Sequence, residues 1–134
     1  MNTPELKNES SAELTDKSET YADKNLTDSL FIRTQKNFRK ILYSSILYIE
    51  ASGSYCNIHL DNGTQILVAF TLTEIMQNLS EYIFIRIHRS FIINKEHITG
   101  FIGNVFYIDE QTIPIGRQYK KEVLSHFNIL GTTC

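Results

Sequence analysis

Phe84-Ile85-Arg86-Ile87-His88-Arg89-Ser90-Phe91-Ile92-Ile93-Asn94 sets two apolar runs around a packed polar centre, Arg86 to Ser90. Ile83, Ile85 and Ile87 alternate with Phe84, Arg86 and His88, which is the period of a half-buried strand. The strand expected here buries its isoleucines on one face. It presents Arg86 and His88 on the other, with Arg89 and Ser90 at its end. Phe91, Ile92 and Ile93 then return the chain to the core. Taken alone, Arg-x-His-Arg fits a salt-bridged surface loop better than a ligand contact, because charged residues are mostly solvated surface. The neighbouring segments have to decide.

On the N-terminal side, Tyr55 to Leu60 alternates, with Cys56, Ile58 and Leu60 on one face and Tyr55, Asn57 and His59 on the other. Asp61-Asn62-Gly63 is a tight-turn signature, since Asn-Gly accepts the positive φ of short hairpins. Thr64 to Phe70 reads as the returning strand. One apolar face and one polar face predict a sheet covered on one side only. Leu47 to Ala51 reads as a strand broken by Ser52-Gly53-Ser54. Before it, Leu30–Arg33 and Phe38–Leu42 flank a polar turn, and Tyr43 to Ile46 is a connector. Thr71-Leu-Thr-Glu74 is a capping-box pattern. Leu72, Ile75, Met76 and Leu79 follow at helical spacing, which predicts a helix ending near Ser80.

On the C-terminal side, Lys95 to Ile98 reads as one helical turn. Thr99–Ile102 and Val105–Ile108 form a hairpin across Gly103-Asn104, Asp109 to Gln111 turns the chain, and Thr112–Ile115 is a last short strand. Gly116-Arg117-Gln118 leads into a final helix whose Tyr119, Val123, Phe127 and Leu130 share one stripe. The result is a mainly β single domain with two modest helices, elongated in shape. Strand–helix alternation is too sparse for a parallel, doubly wound sheet.

The 134 residues are 42% hydrophobic and 21% charged, ordinary for a globular chain with a real core. The net charge of -2 hides a segregation. Residues 1–29 hold seven acids against three lysines, and the remainder holds ten Lys and Arg against eight acids. Residues 1–28, acidic and without a sustained apolar stripe, are expected to be a disordered leader. The domain is expected over 29–130, with 131–134 as a tail. Cys56 falls at an apolar position and Cys134 ends the chain, which makes neither a disulfide framework nor a zinc spacing. No signal-peptide pattern or run of ~20 apolar residues is present, so a reduced cytoplasmic setting is expected.

Catalysis finds little support. His88 with Arg86 and Arg89 could grip a phosphoryl group, but no nucleophile motif, carboxylate pair or glycine-rich phosphate loop accompanies them. Glu50 as a base has no local partner, and His59, His97 and His126 stand singly, so no metal or cofactor is expected. Three donor-bearing stretches stand out instead: Ser52 to Asn57, His88 to Ser90, and Arg117 to Lys121. Each sits where a strand ends, so the three can gather on one side of the sheet. Arg reads a guanine edge with two hydrogen bonds, and Asn and His also suit base edges. Lys, Ser, Thr and Tyr suit phosphates, and Arg117 precedes a helix whose N-terminal amides favour one. Composition and spacing leave nucleic-acid binding and an ordinary polar surface both open.

Leu47-Tyr-Ile-Glu-Ala-Ser-Gly-Ser-Tyr55, Asp61-Asn-Gly63, Thr71-Leu-Thr-Glu74, Phe84 to Asn94 and Ile113-Pro-Ile-Gly-Arg117 together closely resemble the LytTR DNA-binding domain. The resemblance spans roughly Ser29 to Leu130. It implies a mostly antiparallel fold of about ten strands and sequence-specific binding of double-stranded promoter DNA, with loops entering successive major grooves at short direct repeats. It also implies a monomer that pairs head to tail on DNA. By position it implies that Ser54 and Tyr55, the His88-Arg89-Ser90 block and Arg117 meet the DNA, with Gln118, Lys120 and Lys121 near the backbone. Asn57 belongs to the same donor-bearing stretch. Ser54 departs from the larger donor or acid usual in the family's first loop, which weakens its share of base reading. Such domains are typically output modules of bacterial two-component response regulators, but residues 1–28 cannot form a receiver domain. The expectation is an excised domain or a stand-alone regulator, with Met1 favouring the latter and a sensor or signalling protein as partner. The alternative is a protein-interaction module that kept the fold without binding DNA.

Overall fold

The computed structural model describes residues 23–131. Ten strands and two short helices follow in order. β1 (Ser29–Arg33) and β2 (Phe38–Leu42) form a hairpin. A helical turn then leads to β3 (Ile46–Ser52), β4 (Tyr55–Leu60) and β5 (Gln65–Val68). Helix α1 (Leu72–Met76) precedes β6 (Phe84–His88) and β7 (Phe91–Asn94). β8 (Ile98–Ile102), β9 (Val105–Ile108), β10 (Gln111–Pro114) and α2 (Lys120–Leu124) complete the described residues. The central sheet has five strands in the order β5-β4-β3-β7-β6, and a second has the order β10-β9-β8. Every pairing is antiparallel.

The central sheet buries both faces. On one, Ile46, Ile49, Cys56, Ile58, Leu60, Phe84 and Ile92 pack with Ile32 and Ile41 of the hairpin and with Leu72, Ile75 and Leu79 around α1. On the other, Leu47, Tyr48, Ile85, Ile87 and Ile93 pack with Phe106, Ile108 and Ile113 of the smaller sheet and with Val123 of α2. The one-sided sheet expected from the β4–β5 ribbon therefore holds only toward its edge. In β6 the expected face of Phe84, Arg86 and His88 is not a presenting face. Phe84 is buried, with Tyr43 edge-on to it at 5.2 Å. Alternation looks the same for one buried face or two whenever the second face is also apolar. A bulge between Ile46 and Tyr48 turns Leu47 and Tyr48 both toward the second core.

Local chemistry explains the turns. Gly63 closes the β4–β5 turn at φ 88, a backbone state open to glycine at no steric cost. Thr71 accepts from the Glu74 amide while the Glu74 side chain accepts from the Thr71 amide, so the capping box forms as its residues predict. Both helices are shorter than their stripes suggest. α1 ends at Met76, although turns carry Leu79 into the core. α2 ends at Leu124, Phe127 packs beyond it, and Leu130 is fully exposed. Ser125 Oγ donates to the Glu122 carbonyl there, an alternative to continuing the helix.

Residues 23–28, expected in the leader, pack against the domain. Tyr43 donates its amide to the Asp28 carbonyl, Asn25 accepts from the Glu81 amide, and Lys24 pairs with Glu81 at 3.2 Å. The rest of the leader expected to be disordered, and of the expected tail with Cys134, falls on residues 1–22 and 132–134, outside the described residues.

Candidate nucleic-acid interface

Strand register brings the three donor-bearing stretches to one end of the molecule. Ser52 pairs with Tyr55, so the Gly53-Ser54 turn lies at the end of β3 and β4. Glu50 lies opposite Phe91, and the Ala51 amide donates to the Ser90 carbonyl at 2.9 Å. The β6–β7 turn thus sits directly against the end of β3. On its other side, the Gly116 amide donates to the Ile87 carbonyl at 2.7 Å. These two bonds set Ser54–Tyr55, His88–Ser90 and Arg117 side by side.

The middle turn is tightly held. A bulge between Arg86 and His88 interrupts the β6–β7 ladder. The freed carbonyls find other donors: Gly116 on Ile87, Arg86 Nε on His88 at 3.3 Å, Arg86 Nη2 on Arg89 at 2.7 Å, and Ala51 on Ser90. The Ser90 amide donates to His88 Nδ1 at 3.0 Å. With Nδ1 accepting, a neutral His88 carries its proton on Nε2, where it is a donor. The His88 ring also rests against Phe91, 5.4 Å between centroids. Arg89 is exposed, and its guanidinium enters neither ion pair found among the described residues.

Gly116 packs tightly next to this turn. A Cβ on Gly116 would stand 2.9 Å from Tyr119 Cδ2 and 3.4 Å from both His88 Cα and Cδ2. A side chain at this position would therefore collide with the Tyr119 ring, while the His88 atoms would stand at contact distance. Arg117 and Gln118 are exposed on a short helical turn, Lys121 is exposed on α2, and Lys120 is half-buried. Tyr55 is exposed, and Asn57 is half-buried one pleat further along β4. All ten expected residues thus occur on the three converging segments or the first turn of α2.

Sequence reasoning misplaced Arg86 as a presented donor, and it passed over Thr73, whose Oγ1 accepts from Arg86 Nη1, and Ala51 and Gly116 as supports. Only Gly116 carried a readable signal, a glycine immediately before the candidate arginine. Glu50 does have a partner: His59 Nε2 lies 3.2 Å from its carboxylate. The His59 ring also stacks on Tyr48 at 4.1 Å, and Tyr48 Oη donates to Gln111. Burial pushes the Tyr48 phenol up, and Glu50 adds to the shift. This network ties the two sheets together and lies along the sheet from the three loops. Among the described residues no group of three or more His, Cys, Asp or Glu could hold a metal, and no helix is long and apolar enough to cross a membrane.

The geometry defines an antiparallel β domain whose three donor-bearing segments cluster together. The family model of the LytTr DNA-binding domain matches residues 36–128, and the chain belongs to that family. Among solved structures, the LytTr DNA-binding domain of a protein assigned as a methyl-accepting/DNA response regulator from Bacillus cereus has a TM-score of 0.65 and 21% identity. The match covers 75% of this chain and 96% of that one, and at such identity it bears on fold alone. No curated protein matches the chain.

Proposed function

We propose that this chain is a sequence-specific, DNA-binding transcriptional regulator of the bacterial cytoplasm, and not an enzyme. Its three converging loops enter successive major grooves at promoter direct repeats. Support comes from the two hydrogen bonds, Ala51 to Ser90 and Gly116 to Ile87, that put three donor-bearing segments at one end of the domain. Arg89 and Arg117 read base edges, with His88 Nε2 as a further donor. Ser54, Tyr55, Ser90, Gln118, Lys120 and Lys121 hold the phosphate backbone, and Asn57 supports the first loop. Direct repeats call for two copies head to tail, each monomeric in solution. A sensor or signalling protein supplies the input.

Gel shifts on the chain's own upstream DNA and on sites drawn from a random-oligonucleotide selection, across a salt series, test this reading. Tight, footprinted, salt-sensitive binding that Arg89→Ala/Arg117→Ala abolishes is the expected result. Failure of the selection to return any motif would overturn it.

One observation favours a second reading. Among the described residues β5 is an edge strand, with Leu67 exposed on it, Phe70 exposed just beyond its end, and Phe31 and Phe38 exposed on the neighbouring hairpin. An unpaired edge with apolar side chains suits a protein partner. Retention of a stoichiometric protein partner, with no motif from selection, would favour this interaction module.

A further inference from the structure

We propose that Arg86 is a positioning residue for recognition, which holds the His88–Ser90 turn in its DNA-reading shape; this rests on the DNA-binding function proposed above. Its guanidinium uses all three nitrogens inside the protein. Nε donates to the His88 carbonyl, Nη2 to the Arg89 carbonyl, and Nη1 to Thr73 Oγ1 at 3.1 Å. An arginine presented to phosphate would instead leave its fork open.

The need for such a clamp follows from the bulge. Inserting a residue between Arg86 and the His88–Phe91 pair re-aims the side chains beyond it and removes ladder partners from the turn carbonyls. Two adjacent carbonyls, His88 and Arg89, then require donors in a fixed divergent arrangement. A planar guanidinium supplies donors in several fixed directions, whereas a lysine ammonium is a compact point charge on a flexible stem. Thr73 anchors the far side of the fork. Its own place is set by the Thr71–Glu74 capping box, which fixes the start of α1. The cap, Thr73, Arg86 and the turn carbonyls thus form one connected support running from α1 to the side chains of His88, Arg89 and Ser90.

The test uses the full chain with Arg86→Lys, Arg86→Gln and, as a milder variant, Thr73→Val. Hydrogen exchange should speed up at the Ala51 and Ser90 amides while the far end of the β3–β4 ladder keeps its protection. Affinity for the selected operator should fall about tenfold or more for both Arg86 variants, the scale of a lost base contact. Affinity for unrelated duplex and the salt slope should stay unchanged for Arg86→Lys. In an Arg89→Ala background the same substitution should cost far less, because the side chain it positions is gone. Thr73→Val should move every readout in the same direction by less.

Full affinity in Arg86→Lys would show that only charge matters and would overturn the proposal. So would unchanged exchange at Ala51 and Ser90, or an undiminished loss in the Arg89→Ala background. If the unmodified chain selects no operator, the DNA-binding reading fails and takes recognition with it. The exchange measurement still decides separately whether Arg86 holds the turn.

Discussion

At the scale of single residues, identity and task part company. Arg117 and Lys120 lie three positions apart but face different tests. Arg117→Ala should cost ~1–3 kcal/mol on the selected operator and relax preference at one base pair. Lys120→Ala should weaken binding to all sequences alike and lower the salt slope by about one contact. Binding isotherms on operator and scrambled duplex at several salt concentrations separate them, and an equal loss on both duplexes for Arg117→Ala would remove it from base reading. Asn94 carries a purely structural prediction. It is fully buried, donates to the carbonyls of Tyr43 and Ile46 at 2.9 Å each, and accepts from the Glu96 amide. Asn94→Ala would strand the Ile46 carbonyl and the Glu96 amide, while the Tyr43 carbonyl keeps the Ile46 amide as a donor, and should cost about 2 kcal/mol in denaturant unfolding, since buried unsatisfied groups bear their full desolvation penalty. A loss below 1 kcal/mol would mean that water replaces the amide. The sequence shows His88, Arg89 and Arg117 plainly as donors of the right kind. It does not show that Arg86 folds back onto the turn, because that depends on a bulge and on Thr73, thirteen residues away in the chain.

At the scale of elements, local signals and boundaries differ in legibility. The Tyr55–Leu60 alternation, the Asn62-Gly63 turn and the Thr71–Glu74 cap can be read directly, because each is set by neighbours within a few residues. Helix ends cannot, because tertiary packing decides them: the apolar stripe continues to Leu130 while α2 stops at Leu124. For so short a helix as α1, the cap weighs heavily. Thr71→Ala should lower stability by ~1 kcal/mol. If α1 supports Arg86 through Thr73, it should also lower operator affinity, a paired effect that thermal melts and gel shifts on one sample can check. The β9–β10 turn offers the opposite sign. Asp109 has φ 53, a left-handed state costing a side chain ~1–2 kcal/mol. Glycine relieves that cost but gives the unfolded chain ~0.4–1 kcal/mol of added freedom. Asp109→Gly should therefore stabilise by about 0.5 kcal/mol and leave DNA binding unchanged.

At the scale of the whole molecule, the five-stranded sheet is the shared wall of two cores. Ile49 and Ile92 face one while Leu47 and Ile93 face the other, so neither core can open without disturbing strands of its neighbour. Cys56 reports on the first core from a buried position. Burial pushes its thiol up, with Arg86 pulling weakly the other way, so at neutral pH the reactive thiolate is scarcer than on a free cysteine. Alkylation of Cys56 therefore requires the core to open, provided Cys134 is replaced by serine to remove the competing thiol. In a denaturant series, the midpoint from pulsed Cys56 labelling should coincide with the midpoint from circular dichroism, as two-state unfolding demands. Phe106→Leu, placed wholly in the second core, should then shift both midpoints together by ~1–2 kcal/mol. Had the cores been independent, the substitution would move the bulk signal and leave Cys56 labelling in place. The cooperative outcome has a functional consequence. The three loops are anchored to strands of that common sheet and to the smaller sheet through Gly116, so their relative positions are kept only while both cores are intact. A destabilising change in either core should accordingly lose operator binding and Cys56 protection at the same denaturant concentration.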